Sequence, residues 1–137
     1  MIYVLGYMGL IPFILLPLAM AVAGGFGAFH ILISFVGYSA GIAIFMAGAN
    51  WGRTVDMDEP SKLVLATSNL ITLAVIGLCL FVFYSFPALI VGIGIAHGLN
   101  LVFEAKRENA KYQKLRIILT TVVLVSHLAM LALLVMR

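Results

Sequence analysis

The sequence predicts an all-α, polytopic membrane protein: a single bundle of five transmembrane helices. Of its 137 residues, 64% are hydrophobic and only 9% are charged. A soluble domain needs about 25% charged residues to cover its surface, and the mean hydropathy of +1.21 leads to the same conclusion. At roughly 20 residues per span, the chain has room for about five crossings and for no separate catalytic domain.

Five apolar stretches define the predicted spans, at residues 2–22, 30–49, 63–83, 88–103 and 115–136. Glycine, proline or charged residues separate them, as expected between helices. We expect a turn at 24–27, a polar loop at 50–61, a break at 84–87 and a charged connection at 104–111. The first span contains Pro12 and Pro17, which kink a spanning helix. No charged residue precedes Arg53, so we expect a retained helix there and not a cleaved signal peptide.

The basic residues predict the orientation. With five spans, seven of the eight Lys and Arg residues fall on the side of the amino terminus, and only Arg137 falls opposite. The seven are Arg53, Lys62, Lys106, Arg107, Lys111, Lys114 and Arg116. Positive residues collect on the cytoplasmic side. We therefore expect a cytoplasmic amino terminus in a bacterial inner membrane, which we favour over a matrix-facing one in a mitochondrial inner membrane.

Several function classes find no support in the sequence. Basic and aromatic residues do not alternate as in nucleic-acid binding surfaces, so no nucleic-acid partner is expected. The single cysteine, Cys79, excludes an internal disulfide and a cysteine-rich metal site. No hydrolase triad, phosphate-binding glycine loop or metalloprotease motif is present. We therefore expect no enzyme, with no catalytic and no metal-binding residues.

Small residues mark two helices as packing surfaces. The second span carries Ser34 and four glycines along one helical stripe, and the fourth span carries a further glycine pair. These glycines are Gly37, Gly41, Gly48 and Gly52, then Gly94 and Gly98. Small residues let spanning helices approach closely. We expect each stripe to receive a neighbouring helix, and we favour a helix of the same chain.

Polar residues inside spans are costly and each needs an explanation. His97, Asn100 and Glu104 fall at i, i+3 and i+7 on the fourth span, and His127 lies within the fifth. The His97–Asn100–Glu104 stripe could form a proton or cation path, or a polar pocket for a quinone ring. His97 and His127 could together ligate a haem b iron. The alternative, which we favour, is structural: the buried His and Asn bond to neighbouring helices.

Asn69 on the third span is a further polar candidate. An amide in a spanning helix needs a partner, so we interpret Asn69 as an interhelical contact.

Three segments resemble one known family. Leu5–Phe13 resembles its "LG-aa-GLIPF" start, and 48–52 resembles its "GG-aa-HWG" motif, with Asn50 where the family usually has histidine. The segment 112–120 is similar to its "WY-aa-aa-LR-aa-aa-LT" motif before the last helix. The family is the transmembrane protein 69-like family of bacterial and mitochondrial inner-membrane proteins. The positions that carry the resemblance are Gly9, Pro12, Trp51, Gly52, Tyr112 and Arg116.

The resemblance implies five spans and brings no activity with it. Three functions therefore remain open at this point. The first is a non-catalytic accessory or structural subunit of a larger membrane complex, such as a respiratory or other energy-converting complex. The second is a small transporter that uses the His97–Asn100–Glu104 stripe. The third is a quinone- or haem-binding protein that uses His97 and His127. The partners implied are membrane lipid and either other membrane subunits or further copies of the chain.

Overall fold

A computed structural model describes residues 2–81, 85–104 and 110–136. All regular structure in these ranges is helical, which confirms the predicted fold class. The helices are α1 Ile2–Met8, α2 Ile11–Val22, α3 Gly25–Val55, α4 Lys62–Leu80, α5 Phe86–Val102 and α6 Ala110–Val135. Segment Tyr3–Val22, together with α3, α4 and α6, is long and apolar enough to cross a membrane. Helix α5 has 17 residues, at the lower limit for a spanning helix.

The first predicted span is broken between α1 and α2. Pro12 in the first turn of α2 has no N–H to donate, so the helix cannot continue unbroken from α1. The break exposes the carbonyl of Gly9, and the Tyr38 hydroxyl of α3 donates to it at 2.9 Å. A residue of the neighbouring helix thus compensates for a backbone bond lost at the break.

Helix α3 is longer than predicted at both ends. The turn before it comprises only Ala23 and Gly24, since α3 begins at Gly25 with a positive φ of 50°. At its other end the helix continues through Val55 into the expected polar loop. Its polar residues there are satisfied inside the bundle: Asn50 donates to the backbone carbonyl of Asn100, and Thr54 to the carbonyl of Asn50. These two side chains therefore do not need water as a hydrogen-bond partner, and the segment that contains them can remain helical.

Serine side chains cap the next two helices. Ser61 accepts from the backbone N–H of Val64 at the start of α4, and Ser85 accepts from that of Ala88 at the start of α5. Such caps satisfy backbone donors that have no partner within the helix. Tyr84 of the predicted break and residues 105–109 of the predicted charged connection lie outside the described residues.

Helix α3 lies at the centre of the bundle. It contacts α2, α4 and α5, while α6 packs against α1, α2 and α5. Phe13, Phe35, Ile93 and Met130 are almost fully buried between these helices. We call the end of the bundle that carries Arg53, Glu104 and Arg116 the charged end.

Within the described residues, the α3 glycine stripe receives no neighbouring helix, contrary to the internal packing that we favoured. A Cβ added at Gly37, Gly41, Gly48 or Gly52 would meet no neighbouring atom of the described residues within 4 Å. The interior face of α3 carries alanines instead, and Ala43 and Ala47 are fully buried. On α5, Gly94 packs against the ring of His127, whereas Gly98 is open. Packing of the α3 stripe against another chain remains a prediction.

Candidate functional site

Two histidines and one serine meet in the core of the bundle. Ser39 of α3 places its Oγ 3.0 Å from Nε2 of His97 on α5 and 2.9 Å from Nε2 of His127 on α6. The exposed fraction of each residue is 5% or less. A Cβ added at Gly94 of α5 would lie 3.5 Å from the His127 ring, an ordinary van der Waals distance, so α5 and α6 are close neighbours here. One hydroxyl thus joins three helices.

A backbone carbonyl sets the direction of these hydrogen bonds. Nδ1 of His127 lies 2.8 Å from the carbonyl oxygen of Val123, which can only accept. In a neutral imidazole the proton is therefore on Nδ1, and Nε2 accepts from the Ser39 hydroxyl. The Ser39 oxygen, having donated its proton, accepts from Nε2 of His97. This leaves Nδ1 of His97 as an acceptor, and it has no hydrogen-bond partner among the described residues.

Aromatic rings surround the two histidines. The Phe13 ring of α2 lies 5.9 Å from the His97 ring, centre to centre, and 6.1 Å from the His127 ring. The ring of Phe35 lies 5.0 Å from that of His127. In a low-dielectric setting of this kind, a hydrogen bond is stronger and an unpaired polar atom is costlier.

Asn100 lies one helical turn from His97, and only one end of its side-chain amide, the Nδ2 group, makes a hydrogen bond among the described residues. Its Nδ2 donates to the carbonyl of Ala43 on α3 at 2.9 Å. Its Oδ1 is buried and has no hydrogen-bond partner within the described part of the chain. With 1% of its surface exposed, Asn100 cannot turn this oxygen to bulk water. A buried unpaired acceptor costs about 1–3 kcal/mol.

A carboxylate between two arginines closes the charged end. Glu104 accepts at 3.1 Å from Arg53 through Oε1, and at 3.1 Å from Nε of Arg116 through Oε2. Arg53 also donates to Oδ1 of Asn50 at 2.6 Å. Arg116 is charged and yet only 6% exposed. A buried charge without a partner is costly, so the ion pair with Glu104 is what makes the burial of Arg116 tolerable.

A cavity of about 360 Å³ runs from this end towards the histidines. Its walls are mostly apolar and come from α1, α2, α3, α5 and α6. His97 and Asn100 lie on one wall, and Arg116 and Thr120 of α6 on another. Leu5 and Phe45 also line the cavity and are more than half exposed, so it reaches the outer surface of the bundle. The arrangement suits an apolar molecule with a small polar head.

The structure brings most of the predicted polar candidates together. His97, Asn100, His127 and Glu104 all lie on the inner side of the bundle. However, His97, Asn100 and Glu104 bond to other helices and not to one another. Asn69 lies on the exposed face of α4, so an interhelical contact by its amide would require another chain.

The geometry does not fit a haem between the two histidines. Axial ligation would place an iron, with its porphyrin plane, between the two Nε2 atoms. Those atoms instead converge on Ser39, and the ring centres are 5.5 Å apart. The Ser39 hydroxyl, at 3.0 and 2.9 Å from the two Nε2 atoms, lies where the iron would have to be. Among the described residues, no group of three or more His, Cys, Asp or Glu side chains could hold a metal ion.

Ser39 and Phe13 were missed as site residues. A serine in a spanning helix has an inexpensive partner in its own backbone, so its presence alone gives no signal. Its partners lie 58 and 88 residues away in the sequence. Its position two residues from Gly37 and Gly41 of the small-residue stripe does not by itself reveal that it bonds to His97 and His127.

The fold and the site together define a polytopic helical membrane protein with a polar centre in its core. The family model described as "Protein of unknown function (DUF3429)" matches residues 1–132. The chain therefore belongs to this family. No curated protein matches the chain, and no solved structure does.

Proposed function

We propose that the protein binds a membrane-borne quinone-type amphiphile in the cavity beside His97 and Asn100. The observation that carries the proposal is the mostly apolar cavity of about 360 Å³, which reaches the outer surface of the bundle and has His97 and Asn100 in one wall. A ligand with a polar ring and an apolar tail would fill this space, with its ring beside these two polar residues.

The route to the cavity suits a ligand delivered by the bilayer. The exposed side chains of Leu5 and Phe45 at its rim are apolar. A hydrocarbon tail could therefore leave the cavity into the lipid without crossing a charged surface. The volume of about 360 Å³ falls in the range of small-molecule sites.

The family resemblance adds support to this location. The segment resembling the start of the transmembrane protein 69-like family supplies Leu5, Gly6, Gly9, Leu10 and Phe13 to the cavity wall. The segment before the last helix supplies Tyr112, Leu115, Arg116, Leu119 and Thr120. Two of the three resembling motifs thus meet at the cavity, which favours a function located there.

Quinone extraction and binding measurements test the proposal. The protein, purified from native membranes in mild detergent, should retain a stoichiometric quinone in its organic extract. In nanodiscs it should bind decylubiquinone or a naphthoquinone analogue, and Phe13→Trp, which fills the cavity, should weaken that binding. Monoolein serves as the non-ring control. Equal affinity for monoolein would contradict recognition of a quinone ring.

A second function, as a subunit of a larger membrane assembly, is favoured by the open glycine stripe of α3. Spanning helices associate through such surfaces, and these four glycines have no neighbour within the described chain. Gly41→Leu should leave the isolated chain folded and abolish co-purification of a partner or of a second copy. Gly27→Leu, also at an open glycine of α3, is the control. Recovery of the bare chain from wild-type membranes would contradict the assembly.

We further infer that the charged end faces the cytoplasm. The inference rests on the basic residues at that end, of which Arg53 and Arg116 are held by Glu104. A reporter protein that works only in the cytoplasm should be active when it is fused after residue 59, in the exposed α3–α4 connection. A periplasm-dependent reporter that worked at this position would contradict the orientation.

A further inference from the structure

We infer that the cavity contains a subsite for an anionic oxygen, formed by Arg116 and Thr120, and that the head of its ligand is ionised. This inference rests on the proposed quinone-type ligand and names the chemistry of the head that the protein recognises. That chemistry is an acidic ring hydroxyl in its ionised form, as in a hydroxyquinone. The inference follows from donor groups of α6 that line the cavity and have no partner among the described residues.

Arg116 keeps unused donors in the cavity wall. Its Nε donates to Oε2 of Glu104, whereas its terminal nitrogens, Nη1 and Nη2, have no hydrogen-bond partner among the described residues. Most of the N–H donors of a guanidinium are on these two nitrogens. The side chain is 8% exposed and lines the cavity. Unlike Oδ1 of Asn100, Nη1 and Nη2 keep surface that a small molecule can touch, so a ligand in the cavity can accept from them.

Thr120 supplies a second donor beside Arg116. It lies one helical turn further along the same face of α6 and also lines the cavity. Thr72 and Thr121 each donate to the carbonyl four residues earlier in their own helix. The hydroxyl of Thr120 makes no such bond, and it has no other partner in the described part of the chain. Two unused donors, a guanidinium and a hydroxyl, therefore lie together in one wall.

The charge of the cavity wall favours an anion. Within the described residues, Arg116 is the only Lys, Arg, Asp or Glu that lines the cavity. Behind the wall, Glu104 is shared between Arg53 and Arg116, so these three residues carry one positive charge in excess. Such a charge in low-dielectric surroundings gains from an anionic partner, and hydrogen bonds from a guanidinium to an ionised oxygen are among the strong ones.

The depth of the subsite suits an ionised head. Arg116 lies about 9 Å along α6 from Ala110, and so near the charged end of the bundle. A charge there is less costly than at the centre of the bilayer. The apolar rim at Leu5 and Phe45 leaves a separate route for the hydrocarbon tail. One amphiphile can therefore reach Arg116 with its head and the lipid with its tail.

The test compares an ionised ligand with its neutral methyl ether on the full chain in zwitterionic nanodiscs. A decyl hydroxynaphthoquinone is a vinylogous acid and is ionised at neutral pH. Its methyl ether keeps the ring and the tail without the charge. After partitioning into empty nanodiscs is subtracted, the ionised form should bind about tenfold more tightly. Titration calorimetry measures both affinities.

Thr120→Val tests the subsite from the side of the protein. Because the Thr120 hydroxyl has no partner among the described residues, the variant should keep the thermal stability of the wild type, while its preference for the ionised ligand falls several-fold. Thr121→Val is the matched control, since Thr121 is exposed, does not line the cavity and donates to the Ile117 carbonyl. Arg116→Gln should abolish the preference. The ratio of the two affinities is measured within that variant, so a loss of stability affects both ligands alike.

Decanoate and its methyl ester repeat the comparison without a ring, and so separate the two proposals. Equal affinity for the hydroxynaphthoquinone and its ether, or a preference that survives in Thr120→Val or Arg116→Gln, would overturn the anionic subsite and leave the quinone-type function standing. Absence of binding by both naphthoquinones would overturn the quinone-type function. A preference for decanoate over its ester that is lost in Arg116→Gln would then still support the subsite, and equal affinity for the two would overturn it as well.

Discussion

Nδ1 of His127 lies 2.8 Å from the carbonyl oxygen of Val123, and this contact orders every hydrogen bond between the two core histidines. The carbonyl requires a proton on Nδ1, which makes Nε2 of His127 an acceptor. The Ser39 hydroxyl donates its proton to that nitrogen, so the Ser39 oxygen accepts from Nε2 of His97. A backbone atom of α6 thus determines which ring nitrogen of a residue on α5 carries a proton.

The two histidines are therefore expected to be opposite tautomers. In protein labelled with ¹⁵N-histidine, His127 should give the signature of protonated Nδ1 and His97 that of protonated Nε2. Variants that replace each histidine by phenylalanine assign the signals, and exposed His30 serves as the reference. Identical tautomers at both positions would contradict the deduced order.

Ser39→Ala should destabilise the bundle by about 1–3 kcal/mol, since it removes the partner of two buried imidazoles at once. Thermal or denaturant unfolding in a single detergent measures the change. Ser126→Ala removes a bond only to its own helix and should have a clearly smaller effect. If the two serine variants were equally stable, Ser39 would not be the link between the three helices.

Glu104→Gln should lower the free energy of unfolding by about 1–3 kcal/mol, because it leaves the buried Arg116 without its carboxylate. The glutamine keeps the shape and loses the charge. Glu59→Gln in the exposed α3–α4 connection is the matched control and should change little. Denaturant midpoints at low and high salt should rank the two variants in the same order, because a buried pair is poorly screened.

Gly92→Ala should be less stable than Gly41→Ala by about 1–2 kcal/mol, since both gain helix propensity but the Cβ added at Gly92 would lie 2.6 Å from Cδ1 of Leu78, which must move. Shortening the obstructing side chain in Gly92→Ala/Leu78→Val should recover part of the loss. Gly41→Ala meets no atom within 4 Å and should be neutral or slightly stabilising in the isolated chain. Equal effects of the two alanine substitutions would show that α4 and α5 are less closely packed.

The helical fold class could be predicted because hydropathy alone separates five apolar segments, and each needs only its own residues to form a helix. The ends of α3 could not be predicted from hydropathy. Asn50 stays helical because its amide meets the carbonyl of Asn100, a partner 50 residues away that no local pattern indicates.

Only part of the candidate site could be predicted from the sequence, because its remaining contacts depend on how distant helices pack. His97, Asn100 and His127 stand out because polar groups are rare in spans. Ser39, which joins the histidines, does not stand out. The pairing of Arg116 with Glu104 depends on how α5 meets α6, and the sequence offered Arg116 only as an orientation signal and a motif position.

The helices differ in length by more than the bilayer can accommodate without adjustment. Helix α5 has 17 residues and is about 26 Å long, whereas α3 has 31 and is about 46 Å long, against a hydrocarbon layer of about 30 Å. The long helix must tilt or protrude, while lipid beside the short one must thin, at a fraction of a kcal/mol per ångström. The elastic energy of the surrounding membrane is thus part of the stability of this fold, which should vary with lipid chain length.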